Sequence, residues 1–512
     1  MTRLYMVFLI LACLLAGVGC KDNTAYLETE KAVWQMKRIP IIQGRLTTVG
    51  ELEVDPSISG ELEQLRLTFT SQTPLERVVL LEKIGEELKE VFSDRSISGP
   101  LSIPLSGNKQ ENVRSFLLQV QPSTDASLLG KIQVKVDFLE WGGEKAVPSA
   151  ADTMSEWRLA KALRHHGDDG VHSFRIPGLT TTKRGTLLAV YDMRWERSND
   201  LQGHVDVGLS RSTDGGETWE PMKTIIDMGE WGGLPQDQNG VGDPAILVDE
   251  QTGTIWVVAL WMHGKPAEAA WNSSQPGIKP EETGQLVMVK SEDDGITWSE
   301  PVNLTSSLKD PSWHLFLAGP GAGITLRDGT LVFAGQYKDA DKVPHSTIIY
   351  SKDHGNTWHM GKGARSHTTE AQVVELHDGA IMLNMRDDRG GSRAVMVSKD
   401  LGETWEEHVS HRSALVEPIC MASIIANPYA QDSPIFFFSN PNTTDGRYNI
   451  TIKSSFDEGK TWPETNQLLL DEGVGWGYTC LTVIDEDHLG ILYESSQANM
   501  TFQVVPINEL IR

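Results

Sequence analysis

Arg175 stands inside the apolar run Phe174-Arg175-Ile176-Pro177. A guanidinium in such a run cannot be desolvated alone, so it needs a carboxylate partner or a polar cavity. Its planar fork of donors suits bidentate recognition of an anion, a carboxylate above all. The chain as a whole is acidic, with 45 Lys+Arg against 70 Asp+Glu and a net charge of −25. An anion site must therefore be built locally against that field. The same balance argues against nucleic acid as a partner, since that footprint would be basic. Two further patterns invite metal chemistry. His165-His166 is followed by Asp168-Asp169, and an Asp recurs in five copies of a short motif. The first lacks the ligand spacing of a zinc site and reads as a polar loop. No metal ligand and no cofactor is implied; a structural Ca²⁺ ion stays an open alternative.

The repeated motif is Ser-x-Asp-x-Gly-x-Thr-Trp, at Ser212–Trp219, Ser291–Trp298, Ser351–Trp358, Ser398–Trp405 and Ser455–Trp462. It reads as a turn. Asp accepts backbone N–H groups further on, Gly supplies a positive φ, and Ser and Thr tie the flanks together. The Trp is then expected to plug the gap between neighbouring sheets. The starts lie 79, 60, 47 and 57 residues apart, room for one four-stranded sheet plus loops. Apolar strands at 254–261, 330–334 and 435–439 fall between them. Radial repetition of such sheets is a β-propeller. Five motifs on an expected six blades leave one blade without it, the one closed jointly by both ends of the domain.

Residues 27–150 show a different pattern. Leu65, Leu67 and Phe69 alternate with polar residues, as do Ile132, Val134, Val136 and Phe138, which is the period of half-buried strands. A β-sandwich is expected, although residues 80–92 also read as a helix. Residues 1–20 form a leader. Arg3 precedes a run of fifteen residues that is too short for a comfortable membrane span and ends at Gly19-Cys20. The segment resembles a bacterial lipoprotein signal with a lipid on Cys20, or else a plain secretion signal, which places the protein in the cell envelope or outside the cell. A lipid on Cys20 would be its membrane contact. Beyond the leader only Cys420 and Cys480 remain, so two buried thiols are expected rather than a disulfide framework.

The repeats together with Phe174-Arg175-Ile176-Pro177 resemble the Asp-boxes and arginine motif of bacterial exo-α-sialidases, notably those of Bacteroides, over roughly residues 151–512. The resemblance implies a six-bladed propeller preceded by a β-sandwich that binds carbohydrate. It also implies a set of site residues. Arg175, Arg386 (in Asn384-Met385-Arg386-Asp387) and Arg447 (in Asp445-Gly446-Arg447-Tyr448) would hold the substrate carboxylate. Glu494 would orient Arg175. Asp200 would be the acid/base, with a pKa raised by burial. Tyr478, in Gly477-Tyr478-Thr479-Cys480, would be the nucleophile and Glu370 its base. A neutral phenol suits this task because a carboxylate nucleophile would be repelled by the substrate's own anomeric carboxylate. Arg194 and Asp243 resemble positions that contact the hydroxyl and N-acyl side of the sugar. The 16-residue spacings Glu370–Arg386 and Tyr478–Glu494 fit a strand-turn-strand return to one axis.

The expected function is hydrolysis of terminal sialic acids from glycans, glycoproteins and glycolipids, by a monomer. Two alternatives stand beside it: trans-sialidase or intramolecular trans-sialidase chemistry on the same site, and a non-catalytic sialoglycan-binding lipoprotein.

Overall fold

The computed structural model describes residues 26–58, 60–95, 97–105, 114–150, 155–201, 203–263, 268–430 and 434–511. The leader, Cys20 and the expected boundary at Ala151 lie outside these residues.

The N-terminal module consists of two sheets over one apolar core. Glu87–Asp94, Leu75–Ile84, Arg114–Pro122, Thr47–Val54 and Glu28–Met36 run side by side in the first. Gly99–Pro104, Leu62–Ser71 and Lys131–Trp141 form the second. Leu65, Leu67, Phe69, Val78, Leu80, Phe116, Ile132 and Val134 meet between them. The helix alternative for residues 80–92 is corrected. Gly85, at φ +63°, turns the segment into a hairpin in which Ile84 faces Glu87. The alternation also slips once. A register shift opposite Arg66 and Leu67 leaves Phe138 half-buried and gives its core place to Leu139.

Most of the remaining strands fall into antiparallel groups of four. The first joins Ser173–Thr181, Leu187–Arg194, Val205–Ser212 and Lys223–Ile226. The second joins Asn239–Val248, Ile255–His263, Gln285–Ser291 and Val302–Asn303. Leu315–Ala318, Leu331–Lys338, Pro344–Ser351 and His359–Met360 follow. Then come Thr368–Glu375, Ile381–Asp387, Ala394–Ser398 and Glu406–Glu407. The next group is Ser423–Ala426, Phe436–Pro441, Ile450–Ser455 and Gln467–Asp471. The last is Thr479–Val483, His488–Tyr493 and Met500–Pro506, and its fourth strand is Ser155–Arg164 from the other end. Each group shares an apolar core with the next, and the last shares one with the first, where Leu163 and Phe502 meet Phe174 and Tyr191. A ring of sheets packed face to face is a β-propeller.

Strand Ser155–Arg164 does double duty. Its first half pairs with Lys131–Trp141 of the N-terminal module, and its second half closes the last propeller sheet against Met500–Pro506. Trp157 and Leu159 belong to the N-terminal core.

The five repeats are near-identical turns. In the second, Ser291 donates to Asp293 at 2.9 Å, and Gly295 N donates to Ser291 Oγ at 3.0 Å. The N–H and hydroxyl of Thr297 both donate to Asp293, at 2.8 and 2.6 Å. The residue before the Gly also takes a positive φ, as at Asp294 (+65°), His354 (+58°) and Leu401 (+56°). Each turn therefore needs two consecutive left-handed residues, where the motif marks one. The hydroxyl and amide of Thr297 and Thr357 hold the Asp293 and Asp353 carboxyls down at about 2, so both stay ionised. The repeat tryptophans wedge against the preceding sheet: Trp358 packs with Trp256, and Trp219 with Phe502.

Candidate active site

The strands nearest the axis deliver their side chains through irregular backbone. Register shifts fall between Arg175 and Gly178, between Gly242 and Ala245, and between Thr368 and Ala371. Ile176 and Asp243 sit at φ +62° and +53°. A positive φ is costly for a β-branched residue and persists only where the surroundings hold it. Here Ile176 N donates to Glu494 Oε1 at 2.9 Å.

Glu494 is fully buried and organises three groups. It accepts Arg175 Nε at 2.6 Å, Ile176 N, and through Oε2 the Tyr478 N–H at 3.1 Å. Burial alone would lower the Arg175 pKa; the Glu494 carboxylate outweighs it and raises it, so the guanidinium stays charged. Tyr478 Oη donates to Glu370 at 2.6 and 2.7 Å, and Arg386 Nη1 donates to both Glu370 (2.6 Å) and Tyr478 Oη (3.0 Å). Burial, then the Glu370 charge, raises the Tyr478 phenol well above its ordinary value, against the pull of Arg386. The hydroxyl is therefore neutral. Arg386 Nε is buried without a hydrogen-bond partner among the described residues. Arg447 donates to the carbonyls of Trp476 (3.0 Å) and Ile419 (3.3 Å).

A cavity of about 830 Å³ opens over these groups, lined by Arg175, Arg386, Arg447, Asp200, Tyr478, Ser198, Asn199, Ala269, Gly475 and Trp476. The hairpins carrying Glu370–Arg386 and Tyr478–Glu494 return to the axis as their 16-residue spacings imply. Arg194 and Asp243 are not among the lining residues. Arg194, 1% exposed, donates to Asp192 at 2.8 Å, to the Ser198 carbonyl at 2.7 Å and to Asp200 at 3.0 Å. Asp243 N donates to Asp192 Oδ1 at 2.8 Å. Burial, then the Asp192 and Asp200 charges, raises the Asp243 carboxyl well above its ordinary value.

One expectation is corrected. The Asp200 side chain is 76% exposed. What burial it has would raise its pKa, but the charges of Arg194 and then Arg175 outweigh this and hold the carboxyl below its ordinary value. The sequence suggested a buried acid, whereas the structure shows an exposed carboxylate beside two buried arginines.

Residues 176–447 match the family described as BNR repeat-like domain. The sialidase of Bacteroides fragilis (strain YCH46) is 55% identical over 399 residues, 77% of this chain and 73% of that one. The chain belongs to the sialidase family. Among solved structures, Hadza microbial sialidase Hz136 superposes with a TM-score of 0.88 at 44% identity, over 95% of this chain and all of that one. The intramolecular trans-sialidase of Ruminococcus gnavus shares the fold, with a TM-score of 0.56 at 22% identity over 69% of this chain and 98% of that one. The enzyme is an exo-α-sialidase, a glycoside hydrolase.

Two residues at the sialidase site escaped the sequence reading. Asp192 is fully buried and joins Arg194 to Asp243. Its signal was the i, i+2 spacing to Arg194, which puts both side chains on one face of a strand. Trp476, 44% exposed on the cavity rim, stacks over the Arg175 guanidinium at 4.3 Å. Cys420 and Cys480 are buried free thiols. Among the described residues no His, Cys, Asp and Glu cluster could hold a metal ion, and His165-His166 forms none.

Proposed function

We propose that this sialidase releases terminal α-ketosidically linked sialic acids from glycoproteins and glycolipids with net retention, through a covalent sialyl-tyrosine. The observation that carries the reading is the Tyr478–Glu370 hydrogen bond, closed by Arg386 on the floor of an arginine-lined cavity.

In the first step Tyr478 Oη bonds to the anomeric carbon as Glu370 takes its proton, and Asp200 protonates the leaving glycosidic oxygen. In the second, the Asp200 carboxylate takes a proton from water, whose oxygen displaces Tyr478, and Glu370 returns the phenolic proton. Arg175, Arg386 and Arg447, which line the cavity together, hold the substrate carboxylate. The low pKa of Asp200 fits this scheme through charge. A carboxylate seated on Arg175 and Arg447 offsets their share of the field that holds Asp200 ionised, though not the larger share of Arg194, so substrate itself moves the pKa of its acid upward. Arg194 then serves to hold the acid, and Asp243 to support Arg194's partner Asp192.

A 3-fluorosialyl fluoride, which slows the second step, tests the scheme. Peptide mass spectrometry should place the adduct on Tyr478, and Tyr478→Phe should remove it. A label on Glu370 or Asp200, or an inverted product by NMR, would overturn the mechanism. The leader is proposed as a lipoprotein signal. Incorporation of an alkyne fatty acid that survives Cys20→Ala would reject it.

A further inference from the structure

Arg393 and Glu417 form an ion pair with both side chains 0% exposed, Nη1 to Oε2 at 2.7 Å, behind the cavity rather than on its lining. Taking two charges fully out of water is costly. Such a pair is weak support for stability, because well-packed apolar residues often serve as well. Its hydrogen bonds show where it acts. Glu417 Oε1 accepts the Asp387 N–H at 2.7 Å, at the residue next to Arg386. Arg393 Nε and Nη2 donate to the side chain and carbonyl of Asn384, two residues before Arg386 on the same strand. One pair thus grips the strand on both sides of Arg386.

The other arm reaches the segment Glu417-Pro418-Ile419-Cys420. Arg393 Nη1 also donates to the Cys420 carbonyl at 2.7 Å. The preceding carbonyl, of Ile419, accepts Arg447 Nη2. Ile419 is held at φ +53°, an unusual conformation for a β-branched residue and one that needs outside support. Cys420 packs in one apolar cluster with Ile176 and Tyr478.

We propose that the Arg393–Glu417 pair is a positioning element for the carboxylate grip, fixing Arg386 and Arg447 at one separation across the floor of the cavity. The fork of Arg393 is what makes this work. It makes four bonds at once, two to Asn384 and one each to Glu417 and Cys420, and a lysine has only three donors on a single atom. The inference rests on the reading that Arg386 and Arg447 bind the substrate carboxylate.

The test is a double-mutant cycle read by calorimetric binding of 2-deoxy-2,3-didehydro-N-acetylneuraminic acid, a carboxylate ligand that is not turned over. Arg393→Lys and Glu417→Gln, checked as folded by circular dichroism, should each weaken binding about tenfold, the coupling expected of residues in one network. In turnover, KM should rise by more than kcat falls. In an Arg386→Ala background the same substitutions should cost about threefold or less, because the group they position is gone. Folded variants that bind like the parent, or penalties that multiply in full on Arg386→Ala, would overturn the proposal. Arg386→Ala binding as tightly as the parent would instead overturn the carboxylate reading beneath it. Should the single variants not fold, Arg393→Met/Glu417→Leu removes both charges together and is read in the same cycle.

Discussion

The Tyr478 hydroxyl lies within hydrogen-bonding distance of both Glu370 carboxylate oxygens, at 2.6 and 2.7 Å, while Arg386 Nη1 bonds to the two residues together. An acceptor so placed can take the phenolic proton during attack without a free phenolate building up. Glu370→Gln keeps the hydrogen bond but not the basicity. It should lower kcat by about 10² to 10⁴, the usual worth of a general base, with little change in the affinity of an uncleaved ligand. Steady-state kinetics beside calorimetry would show the split.

Arg386→Ala should cost roughly 2 to 5 kcal/mol in kcat/KM, since it leaves a substrate carboxylate desolvated and underpaired. Arg386→Lys should recover only part, because one ammonium cannot bond Glu370, Tyr478 and the ligand in fork geometry. Full activity in the Ala variant would remove Arg386 from the site.

Arg194 depresses the Asp200 pKa. Removing that charge should raise it and shift upward the pH limb reporting a group that must be protonated. Asp192→Asn/Arg194→Met avoids stranding the buried Asp192 charge. Its kcat–pH profile should move to higher pH by about one unit or more, with a lower maximum because Asp200 loses its tether. An unmoved limb would separate Asp200 from the acid role.

Asp206 gives a stability prediction distinct from catalysis. It is buried at the base of the loop carrying Asp200, where it accepts Trp195 Nε1 at 2.7 Å and faces His204 at 3.2 Å, with Asp227 close by. Burial pushes its carboxyl up to about 7, against the Trp195 hydrogen bond and with help from Asp227. The folded protein therefore binds more protons than the unfolded chain between about pH 4 and 7, and stability falls as pH rises through that window. Asp206→Asn keeps an acceptor for Trp195. It should stabilise the enzyme at pH 8 by about 2 to 4 kcal/mol and change little below pH 4, as measured by denaturant unfolding at both pH values.

A chain beginning at Ser155 keeps the strand that closes the propeller but uncovers Trp157 and Leu159. It should turn over a small soluble sialoside with unchanged kcat. It should also melt several degrees lower, as expected for a loss of about 2 to 4 kcal/mol. A folded truncate without turnover would contradict this division of labour.

The parts of the sialidase that could be read from its sequence are those written in contiguous residues. The repeats announce their turns because the side chains of Ser291, Asp293 and Thr297 bond within the motif itself. Arg175 stands out because its neighbours are apolar. The direction of the Asp200 shift was not legible. Solvent exposure and the field of Arg194 depend on how a loop folds back, which residue types do not record. Arg393 and Glu417 were invisible for a related reason: their partners lie on strand 381–387 and segment 417–420, and no local pattern marks them. In the N-terminal module, Gly85 decided between hairpin and helix, but only pairing with Arg114–Pro122 gave the strand its core.

The shared strand Ser155–Arg164 also sets the order in which the molecule can come into being. Its propeller partner Met500–Pro506 is made roughly 340 residues after it. The ring cannot shut until Met500–Pro506 has been made, and joining such distant segments is slow. Tyr478 and Glu494 flank the strands of that same last sheet, so the proposed chemistry should be assembled only when the ring closes. Activity regained after dilution from denaturant should follow the slowest phase. A chain stopped after Gln497 should be inert although every residue assigned to the reaction is present.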